Sequence, residues 1–220
     1  MTQYNIIAES QEYTVVAEYD HVATPAEAYQ SEADLEKEFI RLLGEQGYEY
    51  LPIHTEADLI SNLRTRLEKL NHYHFTDNEW EQFFNTCMAN KNDDIVAKTQ
   101  KIQDDYIQVL KRDTGESQNI KLIDKDNIHN NTLQVINQYV EEGGNYDTRY
   151  DVTVLVNGLP LIHIELKRRG VQLKEAFNQI NRYQRDSFWA GCGLYEYVQI
   201  FVISNGTNTK YYSNTTRANH

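Results

Sequence analysis

Two apolar runs joined by Asn157-Gly158 constrain the fold of this 220-residue chain more than any other feature. The first run spans residues 149–156 and the second spans residues 160–167. Asn-Gly between two such runs is a strong β-hairpin signal, because both residues tolerate the left-handed backbone angles of a tight turn. The segment therefore predicts two adjacent antiparallel strands.

The second strand separates its side chains into an apolar face and a polar face. Alternation with a period of two puts Ile162, Ile164 and Leu166 on one face. The residues between and after them are His163, Glu165 and Lys167, and they lie on the other face. A Glu and a Lys two residues apart on a strand usually face water. Here the rest of the strand is strongly apolar, which favours a functional role for the pair.

Asp151 heads the partner strand and completes a set suited to hydrolysis of a phosphodiester. Carboxylate oxygens are ligands that Mg²⁺ accepts, and a lysine can orient the attacking water or stabilise developing negative charge. We therefore predict that Asp151, Glu165 and Lys167 are catalytic. Asp151, Glu165 and the backbone carbonyl of Leu166 are the expected metal ligands.

The register of the hairpin decides whether these groups can meet. A strict two-residue turn would pair Asp151 with Ile164, and directly opposed residues share a face of the sheet. Asp151 would then point away from Glu165. We expect either a loop of effectively three residues or a β-bulge near Asp151 or Pro160, which would shift the register by one residue.

The remainder of the chain predicts helices first and strands later. Ser31 and Asp34 form a capping-box pattern ahead of a helix, and Thr76 and Glu79 form another. Apolar spacing indicates further helices over residues 59–70 and 173–185, and short β-rich runs follow from about Tyr106. The fold class is α/β (α+β), a mostly antiparallel central sheet flanked by helices. We expect one domain over residues 1–220, helical over about 1–100, with the sheet and active-site part over about 101–220.

The charge and the cysteine content limit the kinds of function that the chain can have. The net charge of −12 argues against DNA binding, because nucleic-acid-binding proteins usually present a basic face. The densest basic run is residues 167–169, supplemented by Lys174, Arg182 and Arg185, all close to the predicted site in sequence. The two cysteines are far apart, which favours neither a disulfide nor a zinc site and fits a cytoplasmic protein. No signal peptide or membrane span is indicated, and the polar C-terminus suggests a piece of a longer chain.

Asp151 followed by Glu165-Leu166-Lys167 after a hairpin resembles the PD-(D/E)xK nucleases, whose fold is a mixed sheet flanked by helices. Tyr150 departs from the family's proline. Gln179 and Tyr183 match the Gln-x-x-x-Tyr motif of the RecB-like branch, and their i, i+4 spacing puts both on one helix face. The resemblance implies an accessory role for Gln179 and Tyr183 beside the catalytic pocket.

The same family places a glutamate on an early helix. A helical wheel puts Glu32 close to the stripe of Leu35, Phe39, Leu42 and Leu43. The wheel leaves Glu36 at the margin of this stripe and Glu38 on its other side. Glu32 is therefore the predicted accessory acid, with stabilisation of the helix dipole as the alternative. His163 has no second His or Cys at ligand spacing, which favours a structural or solvent-facing role over metal binding.

Nearly the whole chain is similar to the R subunit of type I restriction-modification enzymes, closest to the type IC branch. The residues that carry this resemblance run from Tyr29–Glu36 through Tyr150–Thr153 and Ile164–Lys167 to Ala176–Ile180 and Phe201–Thr207. It implies a Mg²⁺-dependent endonuclease, with Mn²⁺ as a substitute, that cuts double-stranded DNA after an ATP-driven motor has moved it.

The resemblance also implies partners and cofactors outside this segment. These are methylation (M) and specificity (S) subunits, motor domains of the same chain, and ATP and S-adenosylmethionine in the full complex only. Arg168 and Arg182 are the expected DNA contacts. Two alternatives stay open, namely a non-catalytic docking domain that retains the nuclease fold, and a RecB-like repair nuclease.

Overall fold

The computed structural model describes residues 4–9, 15–20, 31–141, 144 and 148–214, the first two ranges by their backbone. Residues 215–220, which carry part of the expectation of a longer chain, lie outside these ranges. The helices are α1 (Glu32–Glu45), α2 (Glu56–Asn71), α3 (Asp77–Phe83), α4 (Ile95–Gln103) and α5 (Leu173–Asp186). The strands are β1 (Tyr4–Glu9), β2 (Val15–Asp20), β3 (Glu49–Tyr50), β4 (Ile107–Lys111), β5 (Ser117–Lys121), β6 (Leu133–Glu141), β7 (Thr148–Val156), β8 (Leu159–Leu166), β9 (Ile200–Ser204) and β10 (Asn208–Ser213).

Eight strands form one mixed sheet in the order β1-β2-β10-β9-β8-β7-β6-β3. The pairs β8–β9 and β3–β6 are parallel, and the other neighbours are antiparallel. Strands β4 and β5 form a separate hairpin. The predicted α/β class with a mostly antiparallel sheet is confirmed, and the predicted hairpin, β7 and β8, lies at its centre.

Helices cover both faces of this sheet. Leu35, Phe39, Ile40 and Leu43 of α1 pack on one face against Val152, Ile164 and neighbouring strand residues. The opposite face carries the larger core, which includes α2, α5 and a cluster of aromatic rings. Strand β8 has buried residues on both faces of the sheet, and helices must cover both faces to bury them.

The two capping boxes located the starts of α1 and α3 correctly. Ser31 and Asp34 form a capping box at the start of α1, and Thr76 and Glu79 form one at the start of α3. A single π-helical turn, Phe84–Met88, extends α3. Strands β1, β2, β3 and β10 and helix α4 were not predicted.

No helix in the described part of the chain combines the length and the apolar composition that crossing a membrane requires. Cys87 and Cys192 are both free thiols, as their separation in sequence predicted.

Candidate active site

The β7–β8 hairpin contains the predicted register shift. Asn157 and Gly158 both have positive φ angles, 51° and 84°, and form a two-residue turn that pairs Leu155 with Pro160. Further along, Val154 pairs with Ile162, so Leu161 is an extra residue on β8. The expected bulge beside Pro160 is thereby confirmed. Beyond the bulge, Val152 pairs with Ile164. Continuing this register by one residue brings Asp151 alongside Glu165.

Asp151 lies between two residues of β7 that pack on opposite faces of the sheet. Val152 packs toward α1, whereas Tyr150 packs on the opposite face against Tyr139. Strict alternation would place Tyr150 and Val152 on the same side. On the neighbouring strand, Gln138 has a φ of 53°, a left-handed conformation that is unusual for a residue other than glycine. The Asp151 carboxylate reaches β8, where its Oδ2 accepts a hydrogen bond of 3.0 Å from the backbone N–H of Leu166.

Glu165 and Lys167 meet on the polar face of β8. The Glu165 side chain is completely buried, and the Nζ of Lys167 donates to its Oε1 over 2.8 Å. The same ammonium group lies 3.2 Å from the backbone carbonyl oxygen of Leu166. Glu165 Oε2 has no hydrogen-bond partner among the described residues. The structure thus brings Asp151, Glu165 and Lys167 together at one end of β8.

The electrostatics of the site reflect an excess of buried negative charge. Burial, followed by the nearby charge of Glu165, raises the pKa of Asp151 from 3.8 to about 7. For Lys167, burial acts to lower the pKa, but the charge of Glu165 and the hydrogen bond to it outweigh burial, so its pKa is raised. Two carboxylates therefore share one ammonium group, and Asp151 is only partly ionised near neutral pH.

The donor set fits a hard divalent cation. Asp151, Glu165 and the Leu166 carbonyl supply oxygen atoms, the ligand type that such a cation prefers. Within the described ranges, no three His, Cys, Asp or Glu side chains gather in a metal-binding arrangement. Mg²⁺ keeps several waters and is typically held by one or two protein carboxylates, a number that Asp151 and Glu165 could supply.

Helix α1 brings two glutamates to the site rather than one. Glu32 is exposed, and its Oε1 accepts a 3.2 Å hydrogen bond from the backbone N–H of Arg168. Glu36 is half-buried, accepts a 2.6 Å hydrogen bond from the Asn137 amide, and adds to the raised pKa of Asp151. The helical wheel placed Glu36 at the margin of the apolar stripe, and its half-buried side chain fits that position.

The predicted apolar stripe of α1 differs from the observed one by one residue. The predicted stripe included Leu42, which is 42% exposed, and omitted Ile40, which packs against the sheet. The face of α1 that packs on the sheet therefore includes Ile40 instead of Leu42, and this face lies closer to Glu36. Counting Ile40 as a core residue would have identified Glu36.

Gln179 and Tyr183 lie on one face of α5 and contact each other. The amide of Gln179 donates to the hydroxyl of Tyr183, and this hydroxyl donates to the backbone carbonyl of Arg149 over 3.3 Å. Tyr183 is buried, and burial followed by the charge of Glu165 raises the pKa of its hydroxyl. The pair therefore connects α5 to the start of β7, two residues before Asp151.

The predicted DNA-contacting arginines differ in their surroundings. Arg168 and Arg182 are both exposed. Arg168 directly follows Lys167, whereas Arg182 lines a shallow depression on α5 together with Asn178, Asn181 and Arg185. Their role in binding DNA stays a prediction.

His163 is completely buried. Of the two roles favoured for His163, structural or solvent-facing, the solvent-facing one is wrong. Strand β8 lies at the centre of the sheet, and α5 and its aromatic residues cover this face.

Comparison with known proteins identifies the family. A family model described as the N terminus of the type I restriction enzyme R protein matches residues 29–220 of this chain. The chain belongs to this family. The R-protein N terminus described here is 48% identical over 212 residues to the EcoprrI endonuclease subunit of Escherichia coli, a match that covers 96% of this chain and 67% of that protein.

Two staphylococcal proteins are more distant relatives. The SauMSSORF170P endonuclease subunit of Staphylococcus aureus strain MSSA476 is 39% identical over 192 residues, and the SsaAORF53P endonuclease subunit of Staphylococcus saprophyticus is 40% identical over 191 residues. These matches cover 85% and 84% of this chain but only 20% of each relative. All three relatives are named as subunits of type I restriction enzymes.

Proposed function

We propose that this R-protein N terminus hydrolyses phosphodiester bonds of double-stranded DNA, using Mg²⁺ held by Asp151, Glu165 and the Leu166 carbonyl. The observation that carries the proposal is the convergence of two carboxylates and one ammonium group at the end of β8, produced by the Leu161 bulge. The names of the relatives, endonuclease subunits of type I restriction enzymes, support the same activity.

The three side chains divide the chemistry between them. When bound, a divalent cation polarises the phosphoryl oxygen and lowers the pKa of a nearby water molecule. Asp151 and Glu165 supply the negative charge that holds the cation, and the hydrogen bond from the Leu166 N–H fixes the orientation of Asp151. Lys167 carries a positive charge that can stabilise the negative charge developing on the phosphate.

The α1 and α5 residues support this site from two sides. Glu36 adds negative charge near Asp151, and Glu32 contacts the backbone directly after Lys167. Gln179 and Tyr183 hold α5 against the start of β7. We propose that these residues orient the catalytic groups and that Arg168 and Arg182 contact the DNA backbone.

The full enzyme would supply what this acidic segment lacks. Its net charge of −12 opposes the approach of DNA, so the gripping surface would belong to motor domains elsewhere in the chain and to methylation and specificity subunits. ATP and S-adenosylmethionine would act at those other parts, in the cytoplasm.

The experiment is restriction by the assembled enzyme carrying Asp151→Ala, Glu165→Ala or Lys167→Ala. Each variant should assemble and hydrolyse ATP normally while it loses DNA cleavage. Lys174→Ala, which changes an exposed lysine of α5, is the matched control and should cut normally. Undiminished cleavage by the Lys167→Ala enzyme would favour the docking-domain alternative.

A further inference from the structure

The imidazole of His163 lies in the core without a hydrogen-bond partner. Its side chain is completely buried, and neither ring nitrogen is bonded within the described residues. A buried polar group without a partner costs free energy, so such a group in a native protein calls for an explanation. Glu165 Oε2 is an acceptor that lies 3.6 Å from His163 Nε2.

The two atoms that face each other, His163 Nε2 and Glu165 Oε2, both lack a hydrogen-bond partner among the described residues. Glu165 Oε2 is itself buried and unbonded, whereas Oε1 already accepts from Lys167. A distance of 3.6 Å is only a few tenths of an ångström longer than the longest normal N–H···O bonds. A small side-chain adjustment would satisfy two orphaned atoms at once.

Aromatic rings hold the imidazole in its orientation. Tyr150, Tyr183 and Phe188 surround it in edge-to-face arrangements, with ring centroids 5.4, 5.9 and 5.6 Å away. The two tyrosine hydroxyls donate to Ser187 and to the carbonyl of Arg149, so they are directed elsewhere. A neutral imidazole has one N–H, and Glu165 is the acceptor within reach of Nε2.

We propose that His163 is a positioning residue that donates from Nε2 to Glu165 Oε2 and so fixes the carboxylate with Oε1 toward Lys167 and the cation. This inference rests on the proposed function. Lys167 must give up contact with Oε1 or share it when a cation binds, and His163 then prevents rotation of the carboxylate. Partners that orient a metal ligand in this way commonly change metal affinity by about 10- to 100-fold when they are removed.

The first test measures binding of Mn²⁺ alone to the 220-residue chain by electron paramagnetic resonance. His163→Phe keeps an aromatic ring without a donor and should weaken Mn²⁺ binding by about tenfold. His163→Gln keeps a donor and should restore the affinity to within about threefold of the parent. His129→Gln, which changes an exposed histidine, is the control and should bind as the parent does. Equal affinity of the folded His163→Phe and parent proteins would overturn the proposal.

The second test needs no metal and separates pairing from packing. The test is a double-mutant cycle that measures the effect of His163→Phe on the folding equilibrium constant in two backgrounds, the parent and Glu165→Leu. The loss should be at least fivefold larger in the parent background, where Glu165 is present. If His163→Phe alone does not fold, the double variant His163→Phe/Glu165→Leu should fold. Equal effects in both backgrounds, or failure of both to fold, would show a packing role only and overturn the proposal. Absence of Mn²⁺ binding by the parent would instead overturn the proposed function, because this cycle still reports on the pair.

Discussion

Replacing Asp151 with asparagine should make the metal-free protein more stable at pH 8. Burial and the charge of Glu165 raise the pKa of Asp151 to about 7 in the folded protein, compared with 3.8 ordinarily. The folded state therefore holds the Asp151 proton more tightly than the unfolded chain does. Consequently the parent protein loses stability as the pH rises from 3.8 to 7, and the loss is complete above pH 7.

The size of the effect follows from these two pKa values. At about 1.36 kcal/mol for each pH unit between them, the ionised carboxylate costs on the order of 4 kcal/mol at pH 8. Asparagine is uncharged at every pH and can still accept from the Leu166 N–H. The gain in stability of Asp151→Asn should thus be close to zero at pH 4 and approach about 4 kcal/mol at pH 8.

The assay is urea unfolding in EDTA between pH 4 and pH 8.5, followed by the fluorescence of Trp80 and Trp189. Asp104→Asn replaces an exposed carboxylate and is the matched control, with a pH profile like that of the parent. Glu165→Gln should recover a smaller part of the lost stability, because burial is the larger cause of the raised pKa. A variant Asp151→Asn that is less stable than the parent at pH 8, or a gain that does not change with pH, would refute this reasoning.

Three further substitutions test other parts of the site. Lys167→Met removes the ammonium group that contacts two of the proposed ligand oxygens. Mn²⁺ should therefore bind about tenfold more tightly (about 1.4 kcal/mol), and the assembled enzyme should lose cleavage. Weaker Mn²⁺ binding would contradict this expectation. Gly158→Ala would place a Cβ 2.6 Å from the Leu63 Cα at a φ of 84°, so urea unfolding should show a loss of more than about 2 kcal/mol, and an unchanged midpoint would be unexpected. Tyr183→Phe removes the hydroxyl bonded to the Arg149 carbonyl and should cost about 1 kcal/mol in the same assay, whereas no loss would show that this bond contributes nothing.

Local signals in the sequence were sufficient for much of the fold. The capping boxes and the Asn157-Gly158 turn depend on residues within a few positions of one another, so their chemistry can be read without knowledge of the tertiary structure. The conflict between the turn and the site also predicted a bulge near Pro160, which the structure places at Leu161. The sequence could exclude the regular register but could not select the bulged residue.

Tertiary packing decided the features that the sequence did not reveal. Strand β3 has only two residues and exists because it pairs with β6, so it leaves almost no periodic pattern. Helix α4 buries Lys98 and Thr99, polar residues that obscure an apolar stripe. The left-handed conformation of Gln138 has no signal in its residue type, and this residue lies on β6 between the partners of Val152 and Tyr150.

The roles of the predicted site residues depend on what binds between them. The sequence predicted the chemistry of Asp151, Glu165 and Lys167, and the fold brings the three together. It placed His163 and Glu165 on one face of β8 but did not predict that His163 would be buried, because the imidazole is enclosed by rings from β7, α5 and the segment after α5.

The most direct test is an anomalous diffraction map of crystals soaked in Mn²⁺. We predict one strong peak within about 2.1 Å of oxygens of both Asp151 and Glu165, with the Lys167 ammonium displaced from Glu165 Oε1. The peak should disappear in crystals of the Asp151→Asn variant. A map in which Mn²⁺ binds elsewhere, or in which it leaves these carboxylates without a peak at saturating concentration, would contradict the proposed nuclease site.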